Sequence, residues 1–292
     1  MENNIIKAAK HYLKNPKIDF RLLGGMSNVM YVVKDNDYKY TVRVVGRGAE
    51  HFVSREEEKY HLKMFEDLNV TNKTLYFDLK TGIKIANYLE GEALSNLNPD
   101  EHLKEVSDIL KVVHSGPLSK YDYNYFKRLE KYESINNNLP EAYYQAKKNI
   151  IDYYQNIYSQ MPLSFAHGDS QPSNFVKSDK IYIVDFEFSG NNDHFYDIAC
   201  FGNKDFNSAL KLLEVYLGKK PSNSDLHRLY YHRVTQTLQW FLLASYKDKI
   251  GLSADLKIPF DKVAENYLNL AYKLLGEMKQ FEWNANKIRK TI

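Results

Sequence analysis

The apolar residues of this 292-residue chain change their period near Gly91, and that switch restricts the fold more than any other feature. Ahead of it lie three strand-like runs, Ile18–Leu23, Val29–Lys34 and Tyr38–Val45. Gly24-Gly25 and Asp35-Asn36-Asp37 break them, which predicts an antiparallel meander. Asn3-Asn4 before Ile5, Ile6, Ala9, Tyr12 and Leu13 reads as a capped first helix. Ser54 with Glu57 makes a capping box that opens a helix to about Leu68, and Thr74–Asp78 with Ile83–Leu89 reads as a closing hairpin. Beyond Gly91 the pattern is helical. Asn98-Pro99 starts one helix and His114-Ser115-Gly116 ends it. Helices are expected over roughly 122–134 and 139–160, a β-rich insert over about 163–186, and helix again to the end. The fold class is therefore α+β. A small antiparallel β-rich N-terminal lobe, residues 1–89, is expected to join a larger, mainly helical lobe, residues 92–292, through a linker at about 87–91.

Composition removes several classes of function. Apolar residues at 43% and charged residues at 26% exclude wholesale disorder. A formal charge of +3 with acids and bases interspersed gives no basic stripe, so no nucleic-acid partner is expected. Cys200 is the single cysteine, which excludes an internal disulfide and a cysteine-rich zinc site. Residues 1–14 lack the apolar run of a signal peptide, and no run approaches the ~18 apolar residues of a membrane span. The chain is expected to be cytoplasmic. Its oligomeric state is left open.

The chemistry is concentrated in His167-Gly168-Asp169-Ser170-Gln171-Pro172-Ser173-Asn174 and in Ile183-Val184-Asp185-Phe186-Glu187. Phosphoryl transfer to an alcohol needs a carboxylate to orient the hydroxyl and accept its proton, and oxygen ligands for a Mg²⁺ that neutralises the phosphates. Asp169 suits the first role, and Asn174 with Asp185 the second. Phe175-Val176 and Ile181–Val184 can pair as a hairpin that sets Asp185 beside Asn174. A loop rich in Asp, Asn and Ser is on its own only a turn; the combination with an apolar strand and Asp-Phe-Glu is specific. Leu23-Gly24-Gly25-Met26-Ser27-Asn28 joins two strands and is expected to let backbone amides approach phosphate. Arg43 on the third strand and Glu58 on the next helix are expected to pair near the nucleotide, since the planar guanidinium suits phosphate oxygens. The plainer alternative for Glu58, one of three successive glutamates, is a solvated helix face.

The sequence resembles the choline/ethanolamine kinase family, within the wider protein-kinase-like group that includes aminoglycoside phosphotransferases. The resemblance rests on His167-Gly168-Asp169…Asn174, on Val184-Asp185-Phe186-Glu187-Phe188-Ser189-Gly190-Asn191-Asn192 and on Phe195-Tyr196-Asp197-Ile198-Ala199. The Gly24–Asn28 turn, Arg43 with Gly46, Arg55-x-x-Glu58 and Tyr88-Leu89-Glu90-Gly91 also match, over about residues 20–202. It implies a two-lobed kinase-like fold, ATP and Mg²⁺ as cofactors, Asp169 as base, Asn174 and Asp185 as metal ligands, and adenine against the backbone of Asn87, Tyr88 and Leu89. A small amino alcohol is the expected substrate, choline first; ethanolamine, an aminoglycoside, thiamine or a sugar derivative are the alternatives. Because the choline cation offers no N–H, aromatic faces would hold it. Phe188, Glu187, Trp240 and Gln171 are the expected substrate residues. Tyr230, Tyr231 and Tyr246 are expected to be packing, and Asp197 an anchor of the catalytic loop. The chain departs from the family at Thr237, where a second tryptophan is usual, and at Cys200-Phe201-Gly202.

Overall fold

Strands from the first 87 residues form one antiparallel sheet in the order β1-β2-β3-β5-β4. They are β1 (Lys17–Leu22), β2 (Asn28–Asp35), β3 (Tyr38–Val45), β4 (Thr74–Phe77) and β5 (Lys84–Asn87). The structure, a computed structural model, describes residues 2–22 and 28–281. β-Branched residues suit a half-buried pleated surface. Val33 and Val42 are fully buried with Ile85, beneath Ile5, Ala8 and Ala9 of helix α1 (Glu2–Ala9). Asn3 and Asn4 lie inside α1 rather than capping it. The helix starts at Glu2, whose carboxylate faces the positive end of the helix dipole.

Helix α2 (Arg55–Asp67) opens at Ser54, whose side chain accepts the Glu57 N–H at 3.4 Å, half of the expected capping box. Glu58 and His61 are buried on it beside Leu62 and Phe65. The sheet ends at Asn87, and the next strand, β6 (Glu92–Ala93), already pairs with β8 in the second lobe.

That lobe holds α3 (Leu103–His114), α4 (Tyr125–Ile135), α5 (Glu141–Tyr153), strand β7 (Ser164–Ala166), the hairpin β8 (Phe175–Lys177) and β9 (Ile181–Ile183), and β10 (Gly190–Asn192). Helices α6 (Phe195–Phe201), α7 (Phe206–Leu217), α8 (Asn223–Lys249), α9 (Leu252–Leu256) and α10 (Phe260–Met278) follow. The 27-residue α8 packs against α4, α5, α6 and α10 and is buried on nearly every side, as an axial helix must be. Tyr230, Tyr231 and Tyr246 are buried in its packing. Two differences from the sequence reading stand out. The expected 139–160 helix is interrupted, α5 giving way to a π-helical turn over Tyr154–Tyr158. Residues 190–192, which fall where helix is expected, form a strand because β7 offers them an edge. Among the described residues no helix is long and apolar enough to cross a membrane.

Candidate active site

Asp169 follows β7 in a loop tied down by one buried carboxylate. Asp197, at the start of α6, accepts the N–H of His167 at 2.7 Å and of Gly168 at 2.8 Å, and the His114 ring at 3.0 Å. Gly168 has φ +78°, and a Cβ there would meet the Phe188 carbonyl oxygen at 2.1 Å, so only glycine fits. His167 Nε2 lies 2.9 Å from the Val184 carbonyl, which can only accept; Nδ1 then accepts the Asp169 N–H at 3.1 Å. Burial lowers the His167 pKa, in keeping with this neutral tautomer. The anchoring role expected for Asp197 is what its bonds show.

The Asn174 carbonyl accepts the Val184 N–H at 2.9 Å, so Asn174 sits beside the turn that carries Asp185. Phe175 faces Ile183 in the β8–β9 hairpin, the expected register. Asp185 itself has φ 71°, a left-handed conformation uncommon outside glycine and asparagine. Asn174 Nδ2 donates to Asp169 Oδ2 at 3.0 Å and to the Asp169 carbonyl at 2.7 Å. Gln171 Nε2 donates to the same Oδ2 at 3.1 Å. Burial, then the Asp185 charge, hold the Asp169 carboxyl well above its ordinary range, against the pull of the Gln171 and Asn174 donors. Burial, then Asp185 and Glu58, raise Glu187 to about 7. The Asp185 charge acts on both Asp169 and Glu187, and a cation set among these carboxyls would relieve that repulsion. Among the described residues no three His, Cys, Asp or Glu converge as a closed metal cage. Mg²⁺ does not need one, because it takes one or two protein oxygens and completes its shell with water and phosphate.

On the small-lobe side, Arg43 and Glu58 form the expected pair, both wholly buried, with Arg43 Nη2 donating to Glu58 Oε2 at 3.0 Å and to the Gly82 carbonyl at 3.2 Å. The solvated-face alternative for Glu58 is excluded by its burial. Two further cations converge on it that sequence reading did not place in the site. Arg55 Nη1 lies 2.7 Å from Glu58 Oε2, and Lys84 Nζ lies 3.8 Å from Oε1. Lys84 is brought there by register, as the β5 partner of Arg43. Burial, then Arg43, lower its pKa. Among the described residues, Arg43 Nε and Arg55 Nη2 are buried donors with no acceptor. Asn28 Nδ2 donates to Glu187 Oε2 at 3.0 Å, and Arg55 Nη1 lies 3.6 Å from the same oxygen. Glu187 therefore turns Oε2 toward the small lobe, bracing it. Gly24, Gly25 and Ser27 lie outside the described residues. At the linker the N–H groups of Asn87 and Tyr88 are used by the carbonyls of Lys73 and Lys39.

Phe188 and Trp240 come together, ring centroids 5.9 Å apart and edge to face. Phe188 is buried, with the Arg128 guanidinium 5.8 Å from its ring, so the half-buried Trp240 is the more accessible of the two. Thr237 is fully buried on α8. Sequence reading missed Tyr267 on α10, a half-buried ring within electrostatic reach of Asp169. Only the packing of α10 against α8 reveals it.

The sequence pattern of the choline/ethanolamine kinase family matches residues 20–207. The chain belongs to this family. A curated relative, Protein LicA of Haemophilus influenzae, is 27% identical over 288 residues, covering 92% of this chain and 83% of that one. The fold is similar to the crystal structure of choline kinase LicA from Streptococcus pneumoniae, with a TM-score of 0.77 at 23% identity over 94% of this chain and 98% of the other. A crystal structure of LicA in complex with AMP gives a TM-score of 0.78 over 95% and 98%. Membership makes the protein an ATP-dependent phosphotransferase of the choline/ethanolamine kinase type. It has the two-lobed kinase-like fold that the resemblance implied.

Proposed function

We propose that the enzyme transfers the γ-phosphoryl group of ATP to the hydroxyl of choline, giving phosphocholine. The observation that carries this reading is the linkage of Asp169, Asn174 and the Asp185 turn by direct hydrogen bonds in one buried loop pair. Asp169 orients the hydroxyl and takes its proton. Asn174 and Asp185 would hold Mg²⁺, which when bound neutralises the triphosphate. Residues 1–89 hold the nucleotide and residues 92–292 the acceptor. Arg43 and Lys84 present positive charge toward the phosphates. Because the Asn87 and Tyr88 N–H groups are already bonded, adenine would meet the linker through the Tyr88 carbonyl and the backbone of Leu89. Gly24, Gly25 and Ser27, which precede β2 in the sequence, are assigned to the phosphates on the family resemblance.

Choline is favoured over ethanolamine by Trp240 beside Phe188, aromatic rings that suit a cation without N–H donors. The similar LicA structure is also named a choline kinase. ATP consumption measured against choline, ethanolamine, thiamine and kanamycin should show the highest kcat/KM with choline. Turnover of another alcohol with none of choline would overturn the assignment. Asp169→Asn should abolish turnover while leaving Mg·ATP binding largely intact, and residual turnover near wild type would remove its role as base.

A further inference from the structure

Arg233 is 1% exposed at the centre of α8, yet among the described residues it makes no ion pair with a carboxylate. Its guanidinium is held by three amide oxygens: Gln236 Oε1 at 3.2 Å, the Asn203 carbonyl at 3.1 Å and Asn203 Oδ1 at 3.2 Å. A buried cation without a counter-ion is costly to keep and calls for a reason. The reason lies in what those oxygens are forced to do. Arginine has only donors, so Asn203 must turn Oδ1 toward it, and its Nδ2 must point the other way. Asn203 Nδ2 donates to Gln171 Oε1 at 2.9 Å. Gln171 is thereby turned too, and its Nε2 donates to Asp169 Oδ2 at 3.1 Å. The donor-only guanidinium at the far end fixes both amides in the sense that the acceptor-only Asp169 carboxylate requires, so the relay is polarised from both ends. Gln236, the other amide on Arg233, donates Nε2 to the Tyr196 carbonyl at 2.7 Å, next to Asp197.

We propose that Arg233 and Asn203 are positioning residues for phosphoryl transfer, orienting Gln171 so that it saturates Asp169 Oδ2 and leaves Oδ1 to receive the acceptor hydroxyl. With Gln171 and Asn174 both donating to Oδ2, among the described residues the donor to Oδ1 is the weak Cys200 Sγ at 3.7 Å. A flipped Gln171 would set an amide oxygen against the carboxylate and swing it away from its orientation. The inference rests on the reading of Asp169 as the base.

Asn203→Asp separates this role from a packing role. An aspartate still satisfies Arg233, as an ion pair, but cannot donate to Gln171. Steady-state kinetics with choline and Mg·ATP should show kcat lowered about tenfold or more, the order expected of a misplaced reacting group. The KM for ATP should hold and thermal stability should not fall. In a Gln171→Ala background the same substitution should change kcat by less than about twofold, since the relay is already cut. Wild-type kcat in Asn203→Asp, or losses that multiply in the double variant, would overturn the proposal. Should Asn203→Asp not fold, Arg233→Met, which frees Asn203 without leaving a buried charge, takes its place in the same cycle; an unchanged kcat or multiplying losses there overturn the proposal equally. Wild-type turnover of an amino alcohol, and its loss in Asp169→Asn, are measured first, so that failure of the relay is distinguishable from failure of the proposed activity.

Discussion

Glu58 takes three cations within 4 Å, and that concentration sets its titration. Burial alone would raise its pKa; Arg43, Lys84 and Arg55 outweigh burial and lower it from 4.5 to about 2. A depressed carboxylate stabilises the fold fully above its unfolded value and loses that contribution as pH falls toward the folded one. Between pH 4.5 and 2 the protein should therefore lose roughly 3 kcal/mol through this residue. Glu58→Gln strands Arg43 and should cost about 3–5 kcal/mol at pH 7. Urea unfolding midpoints at pH 7 and pH 3 check both statements: the gap between wild type and variant should narrow at the lower pH. At the same scale, the meeting of Asp169 with Asn174 and of Arg43 with Glu58 was readable in the sequence, because motif spacing and opposite charge point to it. Lys84 and Tyr267 were not, since a strand lysine and a helix tyrosine carry no signal until a register or a packing contact places them.

Helix α8 brings Trp240, Arg233 and Gln236 into the catalytic half of the molecule, so its N-terminus is a place where helix physics can be tested away from the chemistry. Ser222 accepts the Asp225 N–H at 3.3 Å and Asp225 accepts the Ser222 N–H at 2.9 Å, a complete capping box. Ser222→Ala should lower stability by about 1 kcal/mol, read as a drop of about 2–4 °C in Tm for a chain of this size. kcat should be unchanged. A drop many times larger would mean that the end of α8 is held by more than its cap.

The two lobes meet over the active site through Glu187, which follows β9 yet bonds to Asn28 of β2 and lies beside Arg55 of α2. Expected to lie near the acceptor cation or to brace the catalytic loop, it links the two lobes through Oε2. Arg55 joins Glu187 to Glu58 and so couples that link to the Arg43 pair. Arg55→Met removes both contacts; a charged hydrogen bond is worth about 1.5–3 kcal/mol. The KM for ATP should rise by about tenfold, with the KM for choline nearly constant. Equal changes in both constants would show that the residue acts on the whole fold rather than on the nucleotide cleft.

Residue identity and spacing alone indicated which lobe is β-rich, where helix takes over, which carboxylates and amide share one loop pair and which family the chain resembles. Those features depend on short-range rules of period, turn and charge type. Tertiary structure decided which way each side chain faces: Glu187 toward the small lobe, Phe188 beneath Arg128, Asn203 between Arg233 and Gln171. Orientation is set by contacts between residues tens to hundreds of positions apart, and no local pattern records them.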